Sequence, residues 1–536
     1  MHLAAERGLR PGGGMSEVDR VDLFAEAPAG AAQAWLNRVE RLGNALPDPV
    51  AIFVLLIVAL MAMSALGAGL GWQAVNPVTG ELLAVKSLLA EDMIRQFLSD
   101  FPKTFAAFPP LGIVLVMVMG AGVADHSGLL NVMVRASLQR VPLAALTPTV
   151  FLVGMLATHA SDASGVVYVP LAGVAYAAIG RHPVLGLVTA FAGVGTGLSG
   201  NLLPGQFDVL LLSITQVGAR LVDPTWQMNP VGNWYFGIAI AITFTAVATL
   251  VLDRVVAPRL GPWRSDAGAA EEMQRAAITP IERRGLRAAG VGLLGVAAFI
   301  AVLMLWPGYT PLYDAGAAPG DRIKPFFGAL VALLFLLFVA CGWAFGATTG
   351  SIRSHRDVVS MMQKGIQPML TYLVMVLFAA QFVAMFGWSN LGPIAAIAGA
   401  EQLRALGAPP AVLLPLLATL TAWLDFLIAS GSAKWTVMAP VAAPMFMLLG
   451  VSPEMTTAAY RIGDTVTNLI SPLNAGVVIT LMFCQRWTPS MRLGSLIALT
   501  LPVAIALYFT GIAVTVLWVS LALPVGPGAG VAYHLP

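Results

Sequence analysis

The sequence predicts an all-α polytopic membrane protein organised as an inverted repeat: about nine transmembrane helices, two re-entrant helical hairpins and two broken helices. The first of three observations is composition. Of 536 residues, 58% are hydrophobic and 10% charged, with a mean hydropathy of +0.82. Such a chain cannot expose its surface to water, and many of its apolar runs approach the roughly 20 residues that a span needs. The second is a shared grammar in two distant stretches, each an apolar hairpin with a small polar tip followed by an interrupted helix. One runs Leu156-Ala-Thr-His-Ala-Ser-Asp-Ala-Ser-Gly165 and then Phe191-Ala-Gly-Val-Gly-Thr-Gly-Leu-Ser-Gly-Asn-Leu-Leu-Pro204. The other runs Asp425-Phe-Leu-Ile-Ala-Ser-Gly-Ser-Ala-Lys-Trp435 and then Arg461-Ile-Gly-Asp-Thr-Val-Thr-Asn-Leu-Ile-Ser-Pro472. The third is register: an offset of 270 lays Pro170 on Pro440 and Asp162 on Ser432, and brings Asn201 near Asn468. Matching Gly/Pro interruptions in two membrane halves point to the substrate site of a secondary transporter.

Each element follows from the pattern of charge and apolarity. Residues 1–47 are polar and Gly-rich, lack a signal-peptide core, and read as a cytoplasmic segment. The transmembrane domain spans residues 48–523, with a first span at Pro49–Trp72. Val85–Ala107 reads as interfacial, because Glu91, Asp92, Arg95, Asp100 and Lys103 interrupt it. A short span at Leu111–Val123 tilts into Leu129–Val134. The first hairpin is Leu143–Ile179, the first broken helix Arg181–Val217, and Trp234–Leu250 the span after it. Residues 252–288 form the long polar connection, holding seven arginines from Arg254 to Arg287. Spans follow near Ala289–Trp306, Pro325–Ala344 and Met369–Trp388, with an elbow helix at Asn390–Leu406. The second hairpin is Pro410–Leu449, the second broken helix Pro453–Phe483, and the last span Leu493–Leu523. Repeat one thus covers about 108–256, repeat two about 366–523, and residues 524–536 form a periplasmic tail.

With each hairpin entering and leaving on one side, about nine spans remain and about five crossings separate the two hairpins; an odd count inverts the second. Short cytoplasmic loops carry the excess of Lys and Arg. That places 135–142, 252–288, 350–364 and 486–492 in the cytoplasm, opposite 307–324, where Arg322 and Lys324 are offset by Asp314 and Asp321. The net charge of +2 and the lack of a basic patch with interleaved aromatics exclude a nucleic-acid partner. Cys341 and Cys484, both in apolar segments, exclude a disulfide framework.

Ionisable residues at membrane depth are functional candidates by default. Here they are Asp162, Asp425, Lys434, Arg461 and Asp464, while Asp208, nearer a helix end, is a weaker case. The bland alternative is internal pairing: Lys434 neutralising an acid, Arg461 with Asp464 as an i,i+3 pair. Breaks near Gly193–Gly200 and Thr465–Ser471 free backbone groups that must line protein or a wet cavity. Half-helix N-termini suit an anion and freed carbonyls a small hard cation. Asn201, Thr467 and Asn468 add neutral oxygens, Asp425 and Asp464 formal charge. The Trp435 indole, close to a hairpin tip, is suited to stacking a flat ligand.

At these residues the chain resembles the aminobenzoyl-glutamate transporter family of bacterial inner-membrane proteins, over roughly Arg38 to Val519. The family's hairpin motif ending Ser-Ala-Lys-Trp stands at Asp425–Trp435, and its Arg-x-x-Asp with downstream Asn and Pro stands at Arg461, Asp464, Asn468 and Pro472. The resemblance implies a homodimer and cation-coupled movement of p-aminobenzoyl-glutamate, an aromatic amide of glutamate. It also admits export of sulfonamide antimetabolites, as described for some members. By motif it implies substrate contacts at Asp162, Ser432, Trp435, Pro453, Arg461, Asp464 and Pro472. For the coupling ion, sodium and/or a proton, it implies Asp425, Ala429 and Asp464, with Asn468 beside them and the two aspartates as the charged ligands. The family usually carries Asn where Asp425 stands and Gly where Ala429 stands. In such a site Arg461 grips a glutamate carboxylate bidentately and Ser432 bonds the amide. No organic cofactor is expected.

An intramembrane aspartyl protease is the rival from another class. Asp464 lacks the flanking glycine pattern, and a His-Glu-x-x-His or Gly-x-Ser-x-Gly motif is absent. A channel fits opposed hairpins less well than alternating access does. A sodium-coupled dicarboxylate transporter of related architecture is the nearer alternative, but its Ser-Asn-Thr tips are missing.

Overall fold

The computed structural model describes residues 49–75, 80–138, 141–158, 164–263, 277–317, 322–428 and 430–534. The segment 1–47, His159, Asp162, Ala429 and the middle of the polar connection lie outside the described residues.

Helix α1, Pro49–Gly69, opens on Pro at a position where the missing N–H costs nothing. Its 21 residues reach about 32 Å at 1.5 Å per residue, enough for the hydrocarbon core. A small antiparallel pair, Gln73–Val75 with Leu82–Ala84, follows; nothing in the sequence pattern announces these strands. Helix α2, Glu91–Ala106, has no buried residue and pairs Glu91 with Arg95 and Asp100 with Lys103 on its surface. Helix α3, Pro109–His126, turns at Ser127–Gly128 into α4, Leu129–Leu138.

Repeat one then unfolds as the sequence predicts. Helices α5, Leu146–Ala157, and α6, Ser164–Ala178, form the hairpin. Helix α7, Pro183–Thr196, stops at a break, and α8, Gln206–Ala219, resumes. Helix α9 begins at Trp234 and runs to Leu260 through a π turn at Leu252–Val256. Helices α10, Pro280–Leu305, and α11, Lys324–Thr349, are long and bury only a few residues each, the rest being half-buried or exposed. Their bare leucines and valines are a lipid-facing belt, not a liability.

Two expected loops are shorter than the charge pattern suggests. The arginine-rich 252–288 connection is helical up to Leu260 and again from Pro280, where Thr279 and Glu282 form a capping box. The 350–364 stretch is mostly helix α12, His355–Ile366, capped by Ser354 and Asp357 and laid against α3. Amphipathic helices of this kind carry charge at loop-like density, which is why composition alone reads them as loops.

Helix α13, Leu370–Trp388, and the elbow α14, Leu391–Ala405, precede repeat two. Its hairpin is α15, Pro410–Asp425, with α16, Gly431–Leu448; its broken helix is α17, Pro453–Thr467, with α18, Ala475–Trp487; and α19, Leu493–Ser520, is the span after it. Among the described residues seven helices are long and apolar enough to cross a membrane. The two broken helices complete the expected nine.

The repeat is visible in packing as well as in order. Gly193 of α7 and Gly463 of α17 lie 270 residues apart. Each presses its bare Cα against a carbonyl of its own hairpin, Phe151 in one case and Ala418 in the other, where a Cβ would collide. Every residue of α17 is buried, so the broken helices form the centre and the belt helices the rim. The last described residues fold back as a strap: the Val531 and Gly450 carbonyls accept the N–H groups of Ser452 and Tyr533, both at 2.8 Å.

Candidate functional site

The second hairpin turns between Asp425, the last residue of α15, and Gly431, the first of α16, with Ser430 capping the new helix. The break in the second broken helix runs from Asn468 to Asn474, and the Asn474 carboxamide accepts the Gly476 N–H at 2.8 Å to cap α18. The first broken helix opens over Gly197–Gly205. The second hairpin tip and the two breaks converge.

Two ionic groups meet there. Lys434 Nζ lies 2.7 Å from Asp425 Oδ1 and 2.8 Å from Asp464 Oδ1, with all three side chains essentially sealed from solvent. The Tyr460 hydroxyl donates to the Gly431 carbonyl at 2.5 Å and to Asp464 at 3.2 Å. Among the described residues, Asp425 Oδ2 is buried without a hydrogen-bond partner. The second group joins the repeats: Arg461 donates through Nε to the Leu198 carbonyl at 2.6 Å and pairs through Nη2 with Asp208 Oδ1 at 2.7 Å. Asp208 also takes the Gly205 N–H at 2.7 Å, so it caps α8 and anchors Arg461 at once. With all five groups ionised, three carboxylates face two cations and the cluster carries one uncompensated negative charge.

A cavity of about 560 Å³ opens beside them, within the range that holds small-molecule ligands. Its polar wall includes Ser432, Arg461, Asp464 and Asn468; its apolar wall includes Phe191, Phe207 and Leu210. The first residues of both α16 and α18 line it, bringing two helix N-termini to one space. Opposite stands Tyr372 of α13, whose buried hydroxyl has no partner among the described residues.

Several predicted site residues sit elsewhere. Trp435 is fully buried, stacked on Tyr460 with ring centroids 4.2 Å apart, its indole N–H donated to Thr215 Oγ1 at 2.8 Å. One face and the polar edge are taken, and the ring is outside the cavity wall, so it packs the hairpin onto α17 instead of stacking a ligand. Pro453 starts α17, about 21 Å of helix away from the break. Pro472 lies in the break but not in the wall. Asn201 is spent on the Met155 carbonyl at 2.5 Å and the Leu202 N–H at 2.9 Å. The Arg461–Asp464 i,i+3 pair does not form; each has a partner on another element.

Sequence reasoning undervalued Asp208 and missed Tyr372. Asp208 had a signal, an acid three residues beyond the break glycine Gly205. Tyr372 had none, since only the tertiary fold brings a tyrosine of an apolar span to the wall of a cavity.

Comparison with known proteins decides the lineage. The model described as "AbgT putative transporter family" matches residues 34–533. The chain belongs to the AbgT family of transporters. It is 35% identical over 507 residues to the p-aminobenzoyl-glutamate transport protein of Escherichia coli K12, covering 94% of this chain and 97% of that one. The YdaH transporter of Alcanivorax borkumensis, whose crystal structure is described as revealing an unusual topology, is 37% identical with a TM-score of 0.83, over 90% of this chain and 100% of its own. MtrF of Neisseria gonorrhoeae, described as illuminating a class of antimetabolite efflux pumps, is 36% identical with a TM-score of 0.84, over 92% of this chain and 100% of its own. This AbgT-family member is therefore a multi-pass transporter of the bacterial inner membrane and not an enzyme.

Proposed function

We propose that this chain moves p-aminobenzoyl-glutamate by alternating access, in an elevator-like manner, driven by sodium or a proton. The observation that carries the reading is Arg461: a buried guanidinium in the wall of a cavity assembled from both repeats, facing two helix N-termini. That combination attracts carboxylates, and the substrate's glutamyl moiety supplies two. Arg461 Nε and Nη2 are engaged by Leu198 and Asp208, so a substrate carboxylate meets Nη1, or displaces Asp208. Phe191 and Phe207 offer apolar surface for the benzoyl ring, taking the part expected of Trp435. Dimerisation, implied by the family resemblance, belongs to the same reading.

The uncompensated charge of the buried cluster supports cation coupling. Asp425 and Asp464 are hard oxygen donors, and the free Oδ2 of Asp425 suits sodium or a proton. The test is uptake of labelled p-aminobenzoyl-glutamate into proteoliposomes, with sodium and proton gradients imposed separately. Accumulation driven by at least one gradient is expected. No accumulation under either, with export of a sulfonamide in its place, would turn the assignment toward the antimetabolite reading.

Tyr372→Phe should weaken apparent substrate affinity about tenfold or less, since it removes one neutral hydrogen bond of roughly 1 kcal/mol. An unchanged KM in initial-rate assays would place the ligand away from α13. For sidedness, cysteines introduced at Gly268 and Ala317 should label from opposite faces of sealed vesicles, the first from the cytoplasm. Labelling from one face would break the inverted-repeat topology.

A further inference from the structure

We propose that Lys434 is a tethered competitor for the coupling cation, an ammonium that occupies the seat between Asp425 and Asp464 until the ion displaces it. The inference rests on the cation-coupled reading above and goes beyond it by naming what fills the site before loading. Nζ bridges one oxygen of each carboxylate, at 2.7 and 2.8 Å. A hard cation shared by the same two oxygens would stand about 2.3–2.6 Å from each. Two positive charges cannot share that space, so ion and ammonium exclude one another.

Local architecture argues against a merely structural lysine. Lys434 is the fourth residue of α16, near the positive end of the helix dipole, where a cation is disfavoured. It is held there by two carboxylates, one of which remains under-satisfied, since Asp425 Oδ2 has no hydrogen-bond partner among the described residues. Gly431 keeps the tip close enough for exchange, because a Cβ there would stand 2.8 Å from Asp464 Oδ2. The Tyr460 ring offers the displaced ammonium a neighbouring surface, its centroid 6.0 Å from Nζ in the present geometry. A side chain on a short stem acts at high effective concentration, so apparent ion affinity is set by this internal competition.

The test is direct binding of radiolabelled sodium to the purified full-length protein, together with sodium-dependent thermal unfolding. Lys434→Met should bind sodium about tenfold tighter or more, as expected when a tethered competitor is removed. Its unfolding temperature should rise with sodium more steeply than that of the unsubstituted protein, because the ion replaces the missing ammonium. Lys434→Arg keeps the charge in a fork that grips carboxylates more rigidly, and should bind sodium more weakly; it carries the test if the methionine variant does not fold. Equal sodium affinity in all three proteins, or weaker binding in Lys434→Met, would overturn the competition and leave sodium coupling standing. No sodium binding in any of them would overturn the competition and confine the coupling proposed above to a proton.

Discussion

Arg461→Met is expected to abolish uptake and lower the unfolding temperature, and adding Asp208→Asn to restore the stability without the uptake. The single change leaves Asp208 buried beside a missing partner, a loss that typically costs about 3–5 kcal/mol. Neutralising the orphaned carboxylate removes most of that penalty, because an amide needs no counter-charge. The double variant has no guanidinium with which to grip a substrate carboxylate, and the helix N-termini alone are not expected to hold one tightly enough for uptake. Uptake and thermal unfolding are measured side by side in reconstituted protein. Recovery of transport in the double variant would show that Arg461 acts only by neutralising Asp208, and would remove the guanidinium from the substrate site. Arg461→Lys separates charge from shape, since lysine keeps one without the planar fork, and most transport should still be lost.

Asp425→Asn is expected to flatten the pH dependence of transport and to shift its sodium dependence. An amide neither takes up a proton nor presents a formal charge, and the five-group cluster then becomes neutral instead of singly negative. Lys434 would keep only Asp464 as an ionic partner. What transport remains should follow sodium more closely than pH, since the amide keeps an oxygen donor but takes up no proton. Initial rates against sodium concentration, at several pH values and in both proteins, give the answer. Superimposed curves at every pH would place Asp425 outside the ion site.

Order along the chain was legible because it rests on local signals. Pro170 and Pro440 share a register, and so do Gly193 and Gly463, which the structure finds doing the same job in each half. The convergence of the second hairpin tip with the two breaks followed from that order, and it brought Ser432, Arg461, Asp464 and Asn468 to one cavity as expected. What failed was direction. Trp435 is adjacent to Lys434 in sequence, yet its ring is spent on Tyr460 and Thr215 while Lys434 reaches the acids. A helical step of about 100° separates those outcomes, and no composition argument fixes which face of α16 meets α17. Arg461 was read beside Asp464 because they are close in sequence; its real partner, Asp208, is 253 positions away in the other repeat.

In the cation-coupled reading proposed above, and with all five groups ionised, the odd charge of the buried cluster would also make it sensitive to voltage. One elementary charge carried through the whole field gains or loses roughly 2.3 kcal/mol per 100 mV. With three carboxylates against two cations, the unloaded cluster feels that force, whereas a cluster holding one monovalent ion is electrically silent. A cell interior held negative would therefore push the empty form toward the outer face, whereas the form holding one monovalent ion and no substrate would feel no such force. The resting potential then biases which side the vacant cavity faces, even when no substrate is present.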